Sequence, residues 1–107
     1  MSLLPIGSVV TLKNAPVTLM IIGRAQSSGN ILYDYSACLF PEGYLNKDQL
    51  YVFNESDIDM LYYVGMQNAE EFRFRKVLTA RMLQYREEQS RKEASQRAES
   101  RTDATLK

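Results

Sequence analysis

All five glycines and all three prolines of this 107-residue chain lie between Pro5 and Gly65, and none follows. Proline fixes φ and removes a hydrogen-bond donor, while glycine opens backbone conformations that a side chain forbids. A chain that gathers both in its first part and omits them afterwards divides into two kinds of structure. Short, sharply turned segments come first, and one long uninterrupted helix follows.

The turned part resolves into five β-rich stretches. Leu3 to Gly7 is an extended lead-in, with Pro5 holding Leu4 out of the helical region. Ser8 to Leu12 is a short strand, and Lys13 to Pro16 carries turn chemistry, with Pro16 expected to end the ladder. Val17 to Arg24 is almost continuously apolar, the pattern of a strand buried on both faces. Gln26 to Asn30 is a polar loop in which Gly29 and Asn30 suit positive φ. Ile31 to Ala37 alternates, placing Ile31, Tyr33, Tyr35 and Ala37 on one face and Leu32, Asp34, Ser36 and Cys38 on the other.

Phe40-Pro-Glu-Gly-Tyr44 forms a tight corner. Asn46 to Leu50 has room for one helical turn, Tyr51 to Phe53 is a fourth strand, and Asn54 or Ser56 caps the turn before a fifth, Ile58 to Val64. Short strands with local connections predict an α+β fold: a small, strongly bent antiparallel sheet or SH3-like barrel of about five strands, then a long C-terminal helix.

Asn68 is placed to cap that helix, with Glu70 and Glu71 in its first turn. Phe74, Leu78, Met82 and Tyr85 recur at helical spacing, joined by Val77, and predict a stripe laid against the sheet. After Tyr85 the apolar pattern stops. A sheet-plus-helix domain is therefore expected over residues 1–86, and a polar helical extension or disordered tail over 87–107.

Charge and chemistry exclude much. Thirteen basic residues balance thirteen acidic ones, so no global field marks nucleic acid as a partner. The balance is not local: residues 1–64 carry three basic and six acidic side chains, and residues 65–85 four basic and two acidic. With no histidine, the commonest general base and metal ligand are missing. A lone cysteine, Cys38, permits no intrachain disulfide and reads as a small buried thiol. Asp34, Glu42, Asp57 and Asp59 occupy turn and strand-exit positions suited to solvated carboxylates. No glycine-rich phosphate loop, leader peptide or apolar span of ~20 residues occurs. The expectation is a cytoplasmic, non-catalytic protein without cofactor or metal.

Two binding surfaces remain. One is aromatic (Tyr33, Tyr35, Phe40, Tyr44 and Tyr51), although rings that cover the core while their hydroxyls reach water are the favoured reading of Tyr33 and Tyr35. The other is the basic early helix with Arg73, Arg75, Lys76 and Arg81. Candidate partner-binding residues are accordingly Tyr33, Tyr35, Phe40, Tyr44, Arg73, Arg75 and Lys76. The chain is expected as a monomer or a homodimer.

The run Leu-Leu-Pro-Ile-Gly-Ser-Val-Val-x-Leu-Lys (Leu3 to Lys13), Leu-Met-Ile-Ile-Gly-Arg (Leu19 to Arg24), Tyr-Asp-Tyr (Tyr33 to Tyr35) and Pro-Glu-Gly-Tyr (Pro41 to Tyr44) carries a family resemblance. Phe53-Asn-x-x-Asp-Ile58 and Gly65 extend it. Across residues 3 to 78 the chain resembles a family of small proteins of unknown function encoded in type VII (Esx, WXG-type) secretion loci of Gram-positive bacteria, beside LXG toxin effectors. Asn14-Ala-Pro16 departs from the glycine-containing turn of many relatives. The resemblance implies an accessory protein that binds a secreted effector or a WXG-type protein as chaperone or targeting adaptor. The alternatives are an immunity protein neutralising the cognate toxin and a nucleic-acid-binding regulator. It transfers no active-site residues.

Overall fold

The computed structural model describes residues 2–106, with side chains described through residue 95. Five antiparallel strands are followed by one helix: β1 Val9–Leu12, β2 Ala15–Ser28, β3 Ile31–Leu39, β4 Tyr51–Phe53, β5 Ile58–Tyr63 and α1 Ala69–Leu106. The spatial order is β4-β3-β2-β1-β5. The sheet is open, since β4 and β5 form its two edges and no ladder joins them among the described residues. Of the two expected architectures, the open sheet is the one found.

The turns are tighter than expected. Leu12 pairs with Ala15, so Lys13 and Asn14 alone make the first hairpin turn. Pro16 lies inside β2 and does not end it, beside a register shift between Thr11 and Leu12 that leaves its missing N–H unneeded. β2 also runs on to Ser28, which pairs with Ile31 and reduces the polar loop to Gly29 and Asn30. Gly29 takes the positive φ, +63°, but Asn30 does not. The bend in this long strand falls at the irregularity between Ile21 and Gly23 and at Ala25, whose φ is +53°.

Ladder partners share a face, so Val10, Leu19, Ile21, Ala37, Tyr35 and Phe53 lie on one side of the sheet. All six are buried, and with Leu3 and Met82 they make the core. Fully burying a Leu or Ile gains roughly 1.5–3 kcal/mol, so this cluster is the main source of cohesion. Met20 and Ile22 alternate to the opposite face and stay partly exposed, against the expectation of burial on both sides. The lead-in contributes more than an extended arm. Leu3 and Pro5 are buried, Gly7 N–H donates to the Ile21 carbonyl at 2.8 Å, and Ile21 N–H donates to that of Ser8 at 2.8 Å.

Two glycines are required by geometry. Gly43, in the corner after the cis Phe40–Pro41 bond, has φ +84° and donates its N–H to the Leu39 carbonyl at 2.7 Å. Gly65, after β5, is pressed against the lead-in, where an added Cβ would stand 2.0 Å from the Ile6 carbonyl oxygen. Its N–H donates to Ser8 Oγ at 3.0 Å, and that buried hydroxyl donates to the Pro5 carbonyl at 2.8 Å.

Helix α1 begins as expected: Asn68 Oδ1 accepts from Glu71 N–H at 2.9 Å. The stripe facing the sheet differs from the apolar pattern. Met82 is buried and Leu78 packs against the core, but Phe74 and Val77 are exposed at 57% and 51% and Tyr85 is exposed as well. Glu71, Arg75 and Arg86 share the turn-by-turn positions of Leu78 and Met82, so the helix approaches the sheet along a mixed seam. Arg24 Nη1 on β2 lies 2.5 Å from Glu71 Oε1, with both side chains nearly buried. That ion pair holds the place predicted for Phe74, whose ring instead lies 5.6 Å beneath the Arg24 guanidinium. The helix continues to Leu106, and the expected tail lies in part outside the residues whose side chains are described.

Candidate functional site

Tyr35 leaves the candidate set. It is fully buried, its ring 5.6 Å from that of Phe53, and its hydroxyl accepts from Leu4 N–H at 2.8 Å while donating to Glu55. Burial and the neighbouring Glu55 carboxylate push its phenol far above the ordinary value. A ring so placed fastens the lead-in to the β4 side and offers nothing to a partner. Tyr33, opposite Gln26 in the β2–β3 ladder, is half-buried, as is Tyr51.

Phe40 and Tyr44 are exposed. Phe40 lines an apolar cavity of about 410 Å³ with Gly7, Val9, Met20, Tyr62 and Tyr63. Tyr33, Tyr44 and Tyr51 do not line it, so the expected single aromatic platform is not formed. The sequence reading missed Tyr62 and Tyr63. Their signal was the unbroken run Met60-Leu-Tyr-Tyr-Val64, interrupted on its N-terminal side by Asp59 alone.

On the helix, Arg73 and Lys76 are exposed, whereas Arg75 is engaged. Its guanidinium binds the Glu71 carboxylate, donates to Gln67 Oε1 at 2.6 Å and lies 5.3 Å over the Phe72 ring. Burial works against charge on Glu71, yet the hydrogen bonds from Arg75 and the ion pair with Arg24 hold its carboxyl below the usual range. Arg75 and Lys76 border a groove of about 370 Å³ whose walls include Phe72, Thr79, Ala80 and Leu83. Phe72 and Leu83, also unforeseen, are 54% exposed each.

A third arrangement is polar. Buried Asp34 accepts from Arg86 Nη2 at 2.9 Å and from Glu55 N–H at 2.8 Å, while its own N–H donates to Asn54 Oδ1 at 3.0 Å. Arg86 also donates to the Leu32 carbonyl at 3.0 Å. These bonds tie Arg86 of the helix to Asp34 and Leu32 of β3, and Asp34 to the Asn54–Glu55 turn, the signature of a latch between helix and sheet. Cys38 is free and buried. Among the described residues no three Cys, Asp or Glu side chains gather to hold a metal ion, and no helix is long and apolar enough to cross a membrane.

Fold and surfaces together define a small α+β protein: a five-stranded antiparallel sheet, a long C-terminal helix and two apolar surfaces left open. Residues 3–74 match the family model described as Domain of unknown function (DUF4176), and the chain belongs to that family. No curated protein and no solved structure matches it. The family match ends at Phe74, so Leu78, Met82 and Arg86, which fasten the helix to the sheet, lie beyond it.

Proposed function

We propose that this protein is a non-catalytic, cytoplasmic accessory factor of a type VII secretion system, binding an exported LXG-type effector as chaperone or targeting adaptor. The observation that supports this reading is the flank of α1 where Phe72 and Leu83 stand exposed on either side of Thr79 and Ala80, with Lys76 at the rim. A helix whose apolar side chains remain uncovered after folding suits the docking of another amphipathic helix. The effector's helical N-terminal region is the segment of that kind which the family resemblance implies. Tyr44 and Arg73 are exposed but do not line this groove.

Co-purification with separated effector fragments tests the proposal. The N-terminal region should be retained by the wild-type protein and lost by Leu83→Asp with circular dichroism unchanged. Retention of the C-terminal toxin domain instead would identify an immunity protein, and retention of neither would overturn the proposal.

A further inference from the structure

The outer edge of β5 has no partner among the described residues, and its side chains are those of an interior strand. Met60, Leu61, Tyr62, Tyr63 and Val64 are between 43% and 61% exposed. Pairing with β1 places them on both faces: Leu61 opposite Val10 lies on the core side, and Tyr63 opposite Val9 and Met60 opposite Thr11 on the other. Edges of monomeric sheets are shielded by lysine, proline, inward charge, bulges or brevity. β5 has six residues, one charge (Asp59), and neither lysine nor proline; of these devices it carries only the two register shifts in its ladder with β1.

This distribution restricts what can cover the edge. A partner lying on one face of the sheet leaves the apolar side chains of the other in water. A strand continuing the sheet covers both, because its own side chains alternate between the faces. The other edge strand of the sheet, β4, is only three residues long and runs into the Asn54 to Asp57 turn, where the backbone N–H of Asn54 and Glu55 is already bonded to carboxylates. A β5-to-β4 contact would also be heterologous, closing only as a ring or running on as a filament. β5 against β5 closes on itself with two-fold symmetry, which is the usual outcome for a self-complementary patch.

We infer that β5 pairs antiparallel with β5 of a second copy across a two-fold axis near Leu61, joining the two sheets into one. Leu61 of each copy meets its equivalent at the axis, and Asp59 stands opposite Tyr63 near the ends of the shared ladder, away from the equivalent carboxylate. Ile6, Phe40 and Met66 are exposed too, at 45%, 47% and 72%. Aromatic side chains contribute about 150–250 Å² each when wholly covered. The half-exposed residues of β5 with these neighbours therefore approach the ~800 Å² per partner of a standard interface. The helix flank assigned above to the effector plays no part in this contact, so either assignment can fail without the other.

Sedimentation or light scattering of the full chain over a concentration series reads the result directly. The wild type should move from 12.3 kDa towards twice that mass as concentration rises. Leu61→Lys should remain monomeric at every concentration with unaltered circular dichroism. Met60→Lys, on the opposite face, does the same and serves should the first variant not fold. Leu83→Asp on the helix should dimerise as the wild type does. A wild type monomeric up to concentrations approaching millimolar, lysine variants that still dimerise, or loss of the dimer only in Leu83→Asp would each overturn the inference.

Discussion

The two edges of this sheet are finished in opposite ways. At β4 the strand is cut to three residues, and the chain beyond it folds into a turn whose polar groups are consumed by Asp34, Asn54, Glu55, Asp57 and Arg86. At β5 the strand is twice as long, almost uncharged and apolar on both faces. A hydrogen-bonded polar edge is specific but sensitive, because removing one member leaves the others buried and unpaired. An apolar edge tolerates substitution of the folded monomer but leaves it with surface to cover. One end of the sheet is thus specialised for closure and the other for contact.

That contrast can be broken most severely where β5 ends. Gly65→Ala drives a methyl into the Ile6 backbone, which has no flexible tip to yield. It should cost about 3 kcal/mol or more on chemical denaturation, at the upper end of the overpacking range. An unchanged midpoint would show that the lead-in does not clamp β5.

The β4 side should come next. Asp34→Ala leaves Arg86 and the Glu55 N–H without their acceptor and should lose about 2–3 kcal/mol, since Arg86 is partly solvated and softens the penalty. Lys at Leu61 or Met60 of β5 should alter monomer stability by about 0.5 kcal/mol or less, as surface substitutions do. Equal losses at the two edges would erase the distinction. Tyr35→Phe keeps the buried ring and removes only the hydroxyl shared by Leu4 and Glu55, for an expected loss of about 1–2 kcal/mol in a thermal or denaturant melt.

The smallest effect is a pH dependence. Glu71 binds its proton more weakly folded than unfolded, so its contribution is complete above the ordinary value of 4.5 and is lost as pH falls through the lower folded value. Melts below pH 4.5 should therefore steepen in the wild type, and Glu71→Gln should flatten that limb while lowering stability at neutral pH. An identical acid limb in both proteins would remove Glu71 from the account.

What the sequence made legible is what neighbours along the chain decide. The five strands, the Asn68 cap, the positive φ at Gly29 and the glycine-free helix follow from local chemistry. Tyr35 did not, because its partners Leu4 and Glu55 are distant in sequence and only folding brings them to one hydroxyl. The helix seam failed similarly: apolar spacing favoured Phe74, but Arg24 on β2 supplies a cation that draws Glu71 inward and turns Phe74 out. Of the predicted site, Phe40 reached an apolar surface, while Arg75 and Lys76 reached the helix groove. Tyr62 and Tyr63 escaped because an apolar strand reads as core until the strand order shows that it is an edge.

Hydrogen–deuterium exchange resolved to single amides tests most directly whether β5 is the contact edge. As protein concentration is raised, the outward-facing amides of β5 should slow several-fold, while those of β4 and the Asn54 to Asp57 turn exchange at an unchanged rate. Concentration-independent exchange along β5, or equal slowing at both edges, would contradict the account.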